Sequence, residues 1–238
     1  MPAGSSPHIE PSPFSARDQL AALAAAGATL LDAQLPAPAP GARPAAVLML
    51  FGVLDRVASG NDAQTAVSRD LDVLLLARAT TLRAHPGQIA FPGGRVDPGD
   101  GGPVEAALRE ANEETGLDVA GVDVLGTLPE IPLDYSRHLV TPVLGWWQRP
   151  SPVRVVDEAE SADVFRVPVA DLLDPDRRAT TVLRRDGQEW RGPGFVVPHA
   201  TGEHLVWGFT AMLLDGLFTR LGWTEPWDHG RELQLDRS

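Results

Sequence analysis

Neither cysteine nor lysine occurs anywhere in the 238 residues. Without thiols there can be no disulfide, no zinc–thiolate centre and no cysteine nucleophile. All 20 basic residues are arginine, which beside the abundant Ala, Pro and Gly reads as a coding bias with no functional content. No apolar run is long enough to span a bilayer, and the opening MPAGSSPHIEPSPF lacks the basic start and apolar centre of a secretory signal, so a soluble, cytoplasmic protein is expected. The serines form no G-x-S-x-G elbow, and neither a P-loop nor a G-x-G-x-x-G fingerprint follows any strand-like run. The six histidines are scattered with no i,i+4 pair, so no histidine-based metal centre is expected.

Positive charge is also scarce. The 20 basic residues face 32 acidic ones, a formal net charge of −12, which disfavours nucleic acid and anionic membranes as partners. A small anionic substrate would need a local exception to that balance.

With 43% apolar residues the chain can bury a substantial core. The expected organisation is an N-terminal extension over 1–44, partly mobile and carrying a helix over 16–31, then one domain over 45–221 and a polar tail over 222–238 that caps the fold. The stretch LPAPAPGARP, 35–44, is a polyproline-like connector. Apolar runs at 45–54, 71–77, 118–127 and 139–147 read as strands of a buried sheet, 180–190 with 194–198 as a hairpin, and 209–221 as a helix packed on the sheet.

Chemistry concentrates in GGRVDPGDGGPVEAALREANEETGL, residues 93–117. Pro103 is a natural first helical residue and Gly116 a natural stop, which predicts a helix between them. At 100° per residue Val104, Ala107, Leu108, Ala111 and Thr115 form a core stripe, and Glu110, Glu113 and Glu114 share a neighbouring arc. Like charges three and four residues apart repel, and glutamates in the last turn oppose the helix dipole. Only Arg109 offers local relief. A solvated acidic face and a divalent-cation site both remain open readings; the crowding favours the cation, a hard one with oxygen ligands.

Just upstream, residues 78–96 carry Arg78, Arg83, His85 and Arg95 and no acidic residue. This positive island either offsets the carboxylates of the helix or cradles an anion, with Gly87, Gly93 and Gly94 letting backbone N–H groups approach. His85 is expected to be a hydrogen-bonded loop histidine.

Gly94, Arg109-Glu110, Glu113-Glu114 and Gly116-Leu117 resemble the signature box of Nudix hydrolases. One departure is Asp100, six residues after the glycine where glutamate is usual, with one extra residue before Arg109. That insertion is similar to the coenzyme A pyrophosphatase branch, as are Arg78, Ala79, Arg83, Gly87 and Phe91 to Gly94, and the later stretches 140–143, 164–168 and 207–211. Leu76 stands where that branch usually has threonine.

The resemblance implies an α/β fold, the Nudix α/β/α sandwich with a mixed central sheet. It implies Mg2+ or Mn2+ held by Glu110, Glu113 and Glu114 with the Gly93 carbonyl, and Arg109 orienting those carboxylates. The general base would be Glu160 from a later loop, or Glu113 or Glu114 from the box itself. Arg78, Arg83, Gly87, Phe91, Gly93, Gly94 and Arg95 would line the site of a nucleotide substrate, coenzyme A or a derivative. Cleavage of another nucleoside diphosphate derivative such as ADP-ribose or NADH, a non-catalytic sensing role, and a module holding structural Ca2+ are the alternatives.

Overall fold

The computed structural model describes residues 15–31, 37–53, 71–79, 87–133, 135–185, 187–200 and 202–235. Arg83 and His85, the early polar segment 1–14 and the polar stretch 58–70 lie outside the described residues.

Strand β1 (Arg43–Val53) is the axis of the main sheet. It runs antiparallel to β2 (Leu71–Arg78) and parallel to β7 (His138–Trp147), so the sheet is mixed. Short strands β3 (Ile89–Ala90) and β4 (Gly93–Arg95) join β2 and β1, while β5 (Val122–Thr127) and β6 (Ile131–Leu133) join β7. Strand β8 (Ser161–Pro168) pairs with β2 from Asp72 to Arg78.

Alternation along β1 sets the layers, because successive side chains leave opposite faces of a strand. Ala46, Leu48 and Leu50 pack under helix α2 (Pro103–Thr115) together with Ala106, Ala107 and Ala111. Met49 and Phe51 face the other way, into a larger core shared with helix α1 (Ala16–Ala25), α3 (Val169–Leu173) and α4 (Gly208–Leu221). Helices therefore cover both faces, the α/β/α sandwich with a mixed sheet that the sequence implied.

Helix α1 is shorter than the periodicity predicts. It caps at Ala26 because Gly27 takes a left-handed conformation (φ 59°), ending the run before Leu31. Leu20 and Ala24 of α1, and Trp223 beyond α4, belong to the same core as the central strands.

A second, four-stranded sheet was not expected from the sequence beyond its hairpin. It consists of β9 (Arg178–Arg185), β10 (Gln188–His199), β11 (Gly202–Val206) and β12 (Glu232–Leu235), in the order β11-β10-β9-β12. A hairpin is present, but not with the predicted arms: 194–198 lies on the same strand, β10, as 188–190, and β9 is its partner. The chain reverses between Arg185 and Gln188, which pair with each other, inside the run read as one strand over 180–190, and Gly187 has φ 75°. Within the segment expected as a tail, β12 lies parallel on β9 at one edge of this sheet.

Candidate active site

Helix α2 starts with Pro103 and stops at Gly116, whose φ of 69° and N–H donated to the Asn112 carbonyl at 2.8 Å make a left-handed cap. The predicted stripe and the observed one differ at one residue that matters. Ala106, Ala107, Ala111, Glu114 and Thr115 are buried, Val104 and Leu108 only partly. Glu114 lies about 20° from Ala107 on the helical wheel, so it belongs to the buried arc rather than beside it.

Glu114 is 8% exposed. The Gly93 N–H donates to its Oε2 at 2.9 Å. That bond favours the carboxylate, but desolvation outweighs it. Burial first, with Glu110 and Glu160 adding repulsion, pushes the Glu114 carboxyl up to about 7, while Arg78 pulls it back. These influences place Arg78, Glu110 and Glu160 around one buried acid. Burial likewise raises Glu110, with Arg109 opposing.

Gly93 is required by close approach to a strand backbone, and Gly94 leaves room for the Glu110 carboxylate. A Cβ on Gly93 would stand 2.7 Å from the Val47 Cα, and one on Gly94 2.6 Å from Glu110 Oε2. Strand β4 thus lies directly against both the sheet and the acidic stripe, which hydrogen lets it do.

Arg109 is fully engaged. Its Nε and Nη2 donate to the two oxygens of Asp100 at 3.0 Å each, a bidentate fork, while Nη1 donates to Glu110 Oε1 and Glu113 Oε2 at 3.0 Å and Nη2 to the Arg95 carbonyl at 3.1 Å. The bond that Arg109 donates to Asp100 is the main reason the Arg109 pKa is raised, and the same bond lowers that of Asp100. Sequence reading treated Asp100 only as a departure in register. The structure gives it work: with the Asp97 N–H donating to its Oδ2 at 2.8 Å, it ties the loop to the guanidinium that arranges the glutamates.

Arg78 is half-buried at the end of β2. Its N–H donates to the Gln88 carbonyl at 3.0 Å, its carbonyl accepts from Gly87 at 3.1 Å, and its Nε is shut from solvent without a hydrogen-bond partner among the described residues. Gly87 holds its turn with φ 68°. Glu160 enters beside it, its carbonyl accepting from the Ala79 N–H at 2.9 Å, just before β8 pairs with β2 across a register shift at Ala77/Arg78.

Two expected binding residues lie elsewhere. Phe91 is 4% exposed within the larger core, so its side chain serves packing rather than a ligand. The Arg95 side chain is exposed, and its charge is felt by His138 rather than by Glu114.

The acidic set fits a divalent cation. Glu114 is a buried carboxylate whose charge is disfavoured by its surroundings, and Glu110 beside it is strained in the same sense, a combination that a hard cation relieves. A plain solvated face would not bury Glu114.

Residues 61–185 match the NUDIX domain model. The uncharacterized Nudix hydrolase NudL of Cronobacter sakazakii is 40% identical over 151 residues, 63% of this chain and 75% of that protein. NudL of Escherichia coli K12 is 38% identical over 151 residues, again 63% of this chain and 75% of its own length. Among solved structures, a Nudix hydrolase from M. smegmatis, RenU, aligns with a TM-score of 0.43 at 25% identity, covering 56% of this chain and 74% of the other. No described helix is long and apolar enough to cross a membrane.

Proposed function

Because the chain belongs to the Nudix hydrolase family, we propose that it hydrolyses the pyrophosphate of coenzyme A or a derivative, giving 4′-phosphopantetheine and adenosine 3′,5′-bisphosphate. The observation that carries the hydrolytic reading is Glu114, a buried carboxylate held by the Gly93 N–H beneath Glu110 and near Arg78 and Glu160. The choice of coenzyme A rests on the segment 74–94 and the Asp100 register, which resemble the coenzyme A pyrophosphatase branch.

Nudix hydrolases work with divalent metal ions; here Glu110, Glu113 and Glu114 with the Gly93 carbonyl would hold Mg2+ or Mn2+, which supplies charge neutralisation at the phosphates and acidifies water. Arg109 keeps the glutamates in register through its fork to Asp100. Arg78, Gly87 and Gly94, together with Arg83, receive the phosphates and the nucleotide, the arginine charges offsetting an otherwise acidic chain. Glu160 takes the proton of the attacking water, with Glu113 and Glu114 as the alternative acceptors within the helix. The water oxygen forms the new P–O bond as the bridging P–O bond breaks, so both products leave as phosphates and no covalent enzyme intermediate is needed.

The test is an assay with Mg2+ or Mn2+ over coenzyme A, its thioesters, its disulfide, ADP-ribose and NADH, with products identified by mass. Release of adenosine 3′,5′-bisphosphate from a coenzyme A species is expected. Turnover confined to ADP-ribose or NADH would remove the coenzyme A assignment and leave the hydrolase standing.

A further inference from the structure

On the sheet face opposite α2, three side chains with metal-binding chemistry converge from two different sheets. Along β8, Val164 packs toward the core beneath α2, whereas Phe165 and Val167 belong to the opposite core, so Asp163 shares the face of Phe165. From the second sheet, the β10–β11 hairpin delivers His199 and His204. They are brought together by a register that pairs Val197 with His204 and His199 with Gly202.

The ligand atoms of Asp163, His199 and His204 lie within 4.8 Å of one another, the one such trio among the described residues. His199 Nε2 is 2.7 Å and His204 Nε2 3.9 Å from the same oxygen, Asp163 Oδ2. Two ligands about 2.1 Å from a tetrahedral zinc stand roughly 3.4 Å apart, a spacing that these two distances bracket.

The orientation of the trio is fixed by its neighbours. Asp163 Oδ1 accepts from the Val164 N–H at 2.8 Å, which leaves Oδ2 to face the rings. Phe165 stacks on His204 at 4.9 Å and meets His199 edge-on at 5.5 Å. Asp163 Oδ2 and His204 Nε2 are both shut from solvent, and neither makes a hydrogen bond of acceptable geometry among the described residues. Buried polar atoms without hydrogen bonds are costly, and a shared cation removes the cost for both at once. The three side chains keep 20–34% exposure, enough for an ion to enter and for water to complete its shell.

We propose that Asp163, His199 and His204 form a second metal site, distinct from the acidic helix, that takes a borderline transition dication, Zn2+ first, with water in the fourth position. Two imidazoles and one carboxylate suit Zn2+ rather than Mg2+, which demands oxygen ligands. The ion ties the β10–β11 hairpin to β8, three residues from Glu160. It is a site between layers, and it holds the strand whose entrance carries that glutamate.

The whole chain, stripped of metal with a chelator, is titrated with Zn2+ and separately with Co2+ in excess Mg2+, which occupies oxygen-only sites. One equivalent of Zn2+ is expected, with the strong visible absorption of four-coordinate, nitrogen-ligated Co2+. His204→Gln and Asp163→Asn should each weaken binding on the order of 100-fold or more, and Glu114→Gln should leave it unchanged. Zn2+ should raise the unfolding midpoint of the parent and of Glu114→Gln but not of His204→Phe, which keeps a ring against Phe165. Absence of Zn2+ binding, or binding indifferent to both ligand substitutions, overturns the site and leaves a proton as the only cation shared by the trio.

Discussion

At the scale of single residues, Glu114 carries the tension of the site. Its carboxyl is raised from the ordinary range to about 7, chiefly by burial. Between those values the folded chain binds a proton that the unfolded chain has released, so stability at this residue is lost as pH rises through that window. Without metal, the chain should lose about 2.5 kcal/mol between pH 5 and pH 8 relative to Glu114→Gln, which keeps the shape and an acceptor for the Gly93 N–H but has no proton to release. Denaturant unfolding in a chelator at both pH values measures it, and parallel pH slopes for the two proteins would refute it. The same substitution should abolish most turnover. The three glutamates were legible in the sequence as a crowded stripe, yet which of them is buried was not. A 20° difference on a helical wheel cannot be resolved until the packing partner, here β4 with its two glycines, is known.

At the scale of elements, α2 and the loop before it behave as one part. The sequence announces the helix at both ends, by Pro103 and Gly116, and the structure keeps those limits. What it could not announce is that the insertion at Asp100 folds back onto Arg109, because that contact spans nine residues across an irregular turn. Arg109 holds Asp100, Glu110, Glu113 and the Arg95 carbonyl with one planar group, a geometry that lysine cannot reproduce. Arg109→Lys should therefore lower kcat about 100-fold, the cost of misplacing groups by an ångström, with little change in KM. Asp100→Asn should act through the same fork, so the double variant should be no worse than Arg109→Lys alone. Additive losses in steady-state kinetics would show that the two residues act separately. The second sheet was harder to foresee for a related reason. The facing ends of β9 and β10 are exposed, and the reversal between Arg185 and Gln188 interrupts a run that alternation alone reads as continuous.

At the scale of the whole molecule, the two sheets share one core, since Phe195, Val197 and Val206 of the second sheet pack with Met49, Phe51, Val73 and Leu75 of the first through α4. Arg178, in β9, is 1% exposed and lies over the rings of Phe195 and Trp227, at 4.3 and 4.6 Å from their centroids, while pairing with Asp215 of α4. Burial lowers its pKa despite Asp215, so its charge is held there at a cost, and the rings and the ion pair offset it. Removing the side chain as Arg178→Ala leaves a void between two aromatic rings and Asp215 without its partner, a change expected to cost about 3–5 kcal/mol. Arg178→Met fills the same volume without the charge, and since Asp215 is partly open to water it should recover most of that loss. With a shared core, both variants should unfold in one transition rather than shedding the second sheet alone. Hydrolysis should persist wherever the variants remain folded, because α2 packs on the other face of the main sheet. Thermal unfolding and turnover measured on the same samples decide it. A separate early transition for residues 178–235 would mean that the second sheet is an appendage, and its contacts to β8 would then be too weak to position Glu160.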